Sequence, residues 1–210
     1  GDIMFALVES GSITKFLNGN QGIQIGGIKH SADIFSNKWT ESERNAIGIY
    51  TVETDLSNFK SNEWYYNTNL SYAYDSSAKK VKATYGTATA KPHADTTYTN
   101  TDKSNNQIPD GKDVGDVKTE GLKTIKKRQI DNQCASLLAP SDWMVVKATE
   151  TGESMDSGWK TWRASVRTKC NSMQTAITNA ADTAALEALF TYTTTDGVTS
   201  RPLGEFPVKE

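Results

Sequence analysis

Histidine is scarce, with only His30 and His93 in 210 residues. Because imidazole is the usual acid–base, triad and metal-binding group, this shortage removes most such sites from consideration. Neither histidine lies in an HExxH, a Cys/His cluster or a GxSxG pattern, and both read as exposed loop residues. Cysteine is equally rare: Cys134 and Cys170 fall on separate predicted helices without CxxC spacing. If those helices pack antiparallel the two can approach, leaving buried free thiols and a disulfide as the readings.

Long apolar runs are missing as well. No stretch approaches the roughly 18 apolar residues of a membrane span, and the start of the chain lacks the basic-then-apolar plan of a signal peptide, so a soluble, unsecreted protein is expected. Residues 1–3 read as a leader added ahead of a natural start at Met4. Charge of one sign is not in excess either: the formal net charge is −2, without the broad cationic footprint of a nucleic-acid binder. Lys123, Lys126, Lys127 and Arg128 do gather, but Asp116, Glu120 and Asp131 lie nearby, and a solvated helix face is the expectation.

What is present divides along the chain. Short strand-like segments at 4–8, 12–17 and 22–25, with Gly11 and Asn18-Gly19-Asn20 between them, predict a small antiparallel meander. The Gly22, Gly26, Gly27 spacing fits no phosphate loop and reads as a turn. Thr40-Glu41-Ser42-Glu43 is a capping box, and with Gly48 able to adopt a left-handed C′ conformation it predicts a helix over 41–47. Alternating and aromatic segments follow at 49–52, 64–66, 72–74 and 80–85. Trp64, Tyr65, Tyr66 and Tyr72 are the candidate platform for stacking against sugar rings, against the simpler reading of cross-strand packing.

From 93 to 116 periodicity gives way to Thr, Asp, Asn, Ser and Gly, the composition of a polar linker. Inside it Asp102, Ser104, Asn106, Asp110 and Asp113 carry oxygens at a spacing that resembles calcium loops, although Gln107 replaces the loop glycine and no bidentate Glu closes the pattern. They are a weak calcium candidate, and no other metal and no cofactor is expected.

Residues 117–192 read as helical. A stripe of Leu122, Ile125, Ile130, Cys134, Leu137 and Leu138 slips out of register near Gln129, and Pro140 stops or kinks the helix. Ser141 with Asp142 is placed to cap a short helix through Trp143 to about residue 148. Trp159, Trp162, Val166, Cys170, Met173 and Ile177 then recur at steps of three and four, the clearest periodicity in the chain. Asp182 caps a last short helix, and Asp196-Gly197 predicts a hairpin in a terminal segment 193–210. The expected fold class is therefore α+β: a small antiparallel β-rich part over 1–92, the linker, a helical hairpin with short flanking helices, and the terminal hairpin. Arg163 and Arg167, one turn apart, can reach Asp142 or Glu150 across the hairpin or face a partner. Scattered carboxylates such as Glu41, Glu43, Asp113 and Asp116 are more simply caps and surface charge than a glycosidase pair.

Leu137, Leu138, Ser141, Asp142 and Trp143, followed by Trp162, Arg163 and Arg167, resemble a pattern of tailed-phage tail proteins, in particular tail-fibre-associated and tail-assembly proteins. Their C-terminal regions often read Leu-Leu-x-x-Thr-Asp-Trp and then an aromatic residue with Arg-x-x-x-Arg. Ala46-Ile47-Gly48-Ile49-Tyr50-Thr51-Val52 and the aromatic hairpins resemble the N-terminal parts of such proteins. Ser141 stands where Thr is usual, and Met155-Asp156-Ser157 where many relatives have a proline.

The resemblance implies a bacteriophage tail protein that is not an enzyme, structural or engaged in virion assembly, in the virion tail or in the host cytoplasm during assembly. Its partners would be tail or tail-fibre proteins and further copies of itself, with no nucleic acid and no membrane. Trp143, Trp159, Trp162, Arg163 and Arg167 are the interface candidates. The alternative function is a host-glycan binding module of a tail fibre, and after it a glycosidase.

Overall fold

A computed structural model describes residues 4–209, so the reading of residues 1–3 lies outside the described part. The fold is α+β, β-rich first and helical afterwards. The chain divides into two compact units, Gly1–Thr89 and Ala90–Glu210.

The first unit is built on a five-stranded sheet. Its strands are β1 (Phe5–Glu9), β2 (Ser12–Leu17), β5 (Ile49–Asp55), β7 (Ser71–Asp75) and β8 (Lys80–Thr84), in the order β2-β1-β5-β8-β7. The sheet is not antiparallel throughout, because β5 and β8 run parallel, with Val52 opposite Val81. The chain between them has room for that crossover: it passes through β6 (Tyr65–Tyr66) and β7 before returning. β1 is apolar at consecutive positions, and both of its faces are covered. Phe5 and Leu7 join Ile23, Ile34 and Ile49 in one core, while Ala6 and Val8 join Val81 in another, with Tyr50, Val52 and Tyr74 packed alongside. The edge strands β2 and β7 curl toward each other, and the rings of Phe16 and Tyr72 meet with centroids 4.6 Å apart.

The predicted meander keeps only its first hairpin. β3 (Ile23–Ile25) leaves the sheet and pairs with β4 (Ile28–His30). The local reason is Gly22, where a Cβ would fall 2.4 Å from the His30 carbonyl oxygen, so the two segments close only around a glycine. The capping box forms: Thr40 Oγ1 accepts from Glu43 N, Glu43 Oε2 accepts from Thr40 N at 2.7 Å, and α1 runs Glu41–Ala46. Gly48 follows at φ +84°.

In the second unit the polar stretch expected as a linker is folded. After β9 (Thr89–Ala90) at the boundary, β10 (Thr96–Thr97) pairs with β11 (Val117–Thr119), and α2 (Asn100–Ser104) starts from a second capping box, between Thr99 and Asp102. Side-chain oxygens satisfy the backbone here, which is why composition alone suggested a loop. The long helices α3 (Leu122–Leu138) and α5 (Ser157–Asn179) pack antiparallel. Lys123 at the start of α3 donates to the Thr178 carbonyl at the end of α5, and Leu138 at the end of α3 accepts from Arg163 near the start of α5. Between them lies α4 (Asp142–Thr151); α6 (Thr183–Phe190) and the hairpin of β12 (Thr193–Thr195) and β13 (Val198–Ser200) follow.

Candidate functional site

The site is assembled where α3 ends and α5 begins. Gly121 offers α3 no side-chain cap, so Asp95 supplies one from outside, accepting from Gly121 N at 2.6 Å and Thr124 Oγ1 at 2.9 Å. These bonds hold the Asp95 carboxyl below its ordinary pKa, the Gly121 amide first. Along α3 the buried residues are Leu122, Lys126, Ile130 and Cys134, a strict four-residue step. The slip near Gln129 is thus filled by Lys126, whose ammonium donates to Gln129 Oε1 and lies 5.0 Å from the Phe190 ring centroid. The expected solvated cluster is accordingly divided: Lys126 is buried, Lys123 caps the end of α5, and Arg128 pairs with Glu120.

Pro140 kinks the chain without ending it. Residues Ala139–Ser141 form a 3-10 turn with proline in its first positions, where the missing N–H costs nothing, and α4 continues directly. The expected cap is not made. Ser141 bonds the Leu138 carbonyl at 2.9 Å, and Asp142 turns its carboxylate to Arg163. Both are drawn away by one buried guanidinium, only 4% exposed: Nη1 donates to the Leu138 carbonyl at 2.8 Å and to Ser141 Oγ, and Nη2 to Asp142 Oδ1 at 2.6 Å. A planar fork with several donors can tie a helix end, a turn and the next helix start to α5 in this way.

Of the other interface candidates, Trp159 and Trp162 are half-buried, edge to face at 5.6 Å, with Trp162 Nε1 donating to the Pro207 carbonyl and the Lys209 ammonium over the Trp159 ring. Asp156 caps α5 through Trp159 N. Arg167 makes no ion pair among the described residues and faces a cavity with Lys160. Trp143 is 59% exposed.

Cys134 and Cys170 are both buried and both free. The antiparallel register places them level, and burial, followed by the hydrogen bond with Cys134, pushes the Cys170 thiol up to about 11. No reactive thiolate is prepared here.

The calcium candidates do not converge. Asp102 is buried in its capping box and paired with Lys118, Asp113 pairs with Lys103, Ser104 bonds the Asn100 carbonyl, and Asn106 takes a left-handed turn while Asp110 remains on an exposed loop. Among the described residues no three His, Cys, Asp or Glu side chains form a metal-holding group. The sugar platform is also dispersed: Trp64 and Tyr65 are buried, Tyr66 is exposed, and Tyr72 is set against Phe16. His30 lies on β4 beside Trp39 rather than in a loop, with ring centroids 6.0 Å apart, and the His93 carbonyl accepts from Lys123 N.

Sequence reasoning missed Asp95 and the C-terminal clasp in which Tyr192 Oη donates to Glu205 and Arg201 pairs with Glu205. For Lys126 a signal existed, since its position in the four-residue step marks the core face. In comparisons with known proteins, the chain matches no family model, no curated protein and no solved structure.

Proposed function

We propose that the chain is a non-enzymatic tail protein of a tailed bacteriophage, structural or engaged in tail-fibre assembly, and that it acts through contacts with other proteins. The observation that carries this reading is the convergence of the residues on which the resemblance rests. Leu138, Ser141, Asp142 and Arg163 meet in one hydrogen-bonded clamp, and the helix that the clamp positions carries Trp143 outward. Rigid scaffolds with exposed aromatic residues suit binding, because aromatic side chains bring large contact area with few rotors to order.

The test is mass spectrometry of purified particles of the encoding phage, combined with deletion of the gene. Presence in the particle assigns a fibre or adaptor role. Absence with failed tail assembly assigns an assembly role. Absence from the particle, no binding to any tail component and undisturbed assembly together refute the reading.

A further inference from the structure

α4 is strongly apolar at Trp143, Met144, Val145 and Val146, yet none of its ten residues is buried. A groove separates it from the first turns of α5. On one side of α4, Trp143, Met144 and Trp159 border a cavity of about 300 Å³; on the other, Val145, Lys160 and Arg167 border one of about 410 Å³. Ala148, Glu153, Ser154 and Met155 line both, so the two spaces adjoin. Along the larger cavity α4 presents Val145, Ala148 and Thr149, α5 presents Lys160, Arg163 and Arg167, and the intervening loop adds Glu153, Ser154 and Met155.

The cations around the groove differ in availability. Arg163 is matched by Asp142, and Lys147 on α4 pairs with Glu153 at 3.4 Å. Lys160 and Arg167 lie about one turn to either side of Arg163 on the same face of α5, both exposed and without a carboxylate partner among the described residues. Backbone groups along both walls are engaged within helices, so the groove offers no edge to which a strand could add. It offers a trough of mixed lining between helices, with Val145, Ala148 and Met155 as its apolar part, Lys160 and Arg167 along one side, and Glu153 already paired with Lys147.

We infer that this groove docks an amphipathic helix of a partner protein, its apolar stripe laid against Val145 and Met155 and its flanking carboxylates meeting Lys160 and Arg167. The inference rests on the reading of the chain as a protein-binding component, and it deepens that reading by naming the chemistry of the partner. A third helix laid in the trough completes the ridge-and-groove packing that α4 and α5 leave open. Exposed ion pairs at such a rim give orientation and selectivity more than raw affinity.

The full chain can be titrated with a labelled synthetic helical peptide bearing leucine along one stripe and glutamate beside it, and with the same peptide carrying lysine for glutamate. The expected result is binding of the glutamate peptide, weakening as salt is raised, with the lysine peptide at least about tenfold weaker. Lys160→Glu with Arg167→Glu should reverse that preference, and both positions are exposed, so an unchanged melting curve verifies the fold. Val145→Ser should weaken the glutamate peptide without altering the order of preference. Equal binding of the two peptides, no binding of either, or binding only to phosphatidylglycerol vesicles overturns the inference. Any of these leaves the particle mass spectrometry and gene deletion to decide the tail reading separately.

Discussion

α4 and α5 are joined by the loop 152–156 and treat their apolar residues in opposite ways. α5 spaces Val166, Cys170, Met173 and Ile177 at steps of three and four and buries all of them against α3 and its neighbours. α4 holds Trp143, Met144, Val145 and Val146 in succession, so they point around the helix and no single face can bury them together. Periodicity, more than apolar content, decides which helix becomes core. Arg163 makes the two compatible: it is buried on α5 and fixes the start of α4 through three acceptors, so α4 is positioned without being packed.

The largest effect that would sharpen this contrast comes from the α5 core. Met173→Ala should destabilise the protein by about 3 kcal/mol, read as a lower midpoint in urea unfolding, because a fully enclosed side chain leaves a cavity. Arg163→Ala should cost about 2 kcal/mol, since the Leu138 carbonyl and the Ser141 hydroxyl lose a charged donor. Asp142→Asn should cost less, below about 1 kcal/mol in the same assay, because the Asp142 carboxylate is largely solvated. Val146→Ala should change the midpoint by no more than the equivalent of about 0.5 kcal/mol. A cost at Val146 equal to that at Met173 would break the comparison.

Two chemical readouts extend it. Cys134 and Cys170 should resist an aromatic disulfide reagent at neutral pH and react fully in denaturant, as buried thiols do; prompt labelling of the native protein would place the α3–α5 core among the accessible surfaces. In the folded polar stretch, the hydrogen bond from Lys118, followed by those from Thr99, holds the Asp102 carboxyl at about 2. A depressed carboxyl stabilises the fold fully above its unfolded value near 3.8 and loses that contribution as pH falls toward 2. Asp102→Asn should therefore flatten the acid limb of stability against pH over that window while leaving the remaining carboxylates to titrate.

Local chemistry was legible in the sequence wherever a signal fits within a few residues. The Thr40–Glu43 capping box, the glycine after α1, the α5 periodicity and the Asp196-Gly197 turn, with φ +52° and +77°, all declare themselves in short windows. What escaped depends on distant partners. The parallel pairing of β5 with β8 and the cap that Asp95 gives α3 join segments whose windows carry no mark of each other. The polar stretch 93–116 misled for a related reason: its Thr and Asp residues bond backbone and lysine, and composition does not reveal the targets. At the candidate site, Ser141, Asp142 and Arg163 were all legible as important, but the division of labour was not. A helix cap and an ion pair compete for the same carboxylate, and Arg163 prevails once buried beside it.

The meeting of Phe16 and Tyr72 bears on how the first unit behaves at high concentration. An open sheet ends in two rows of unsatisfied backbone groups, each a template on which another copy can extend the ladder without limit. Here the two outermost strands bend back toward one another, and their aromatic rings stand across the seam. Growth by edge-to-edge stacking is thereby discouraged.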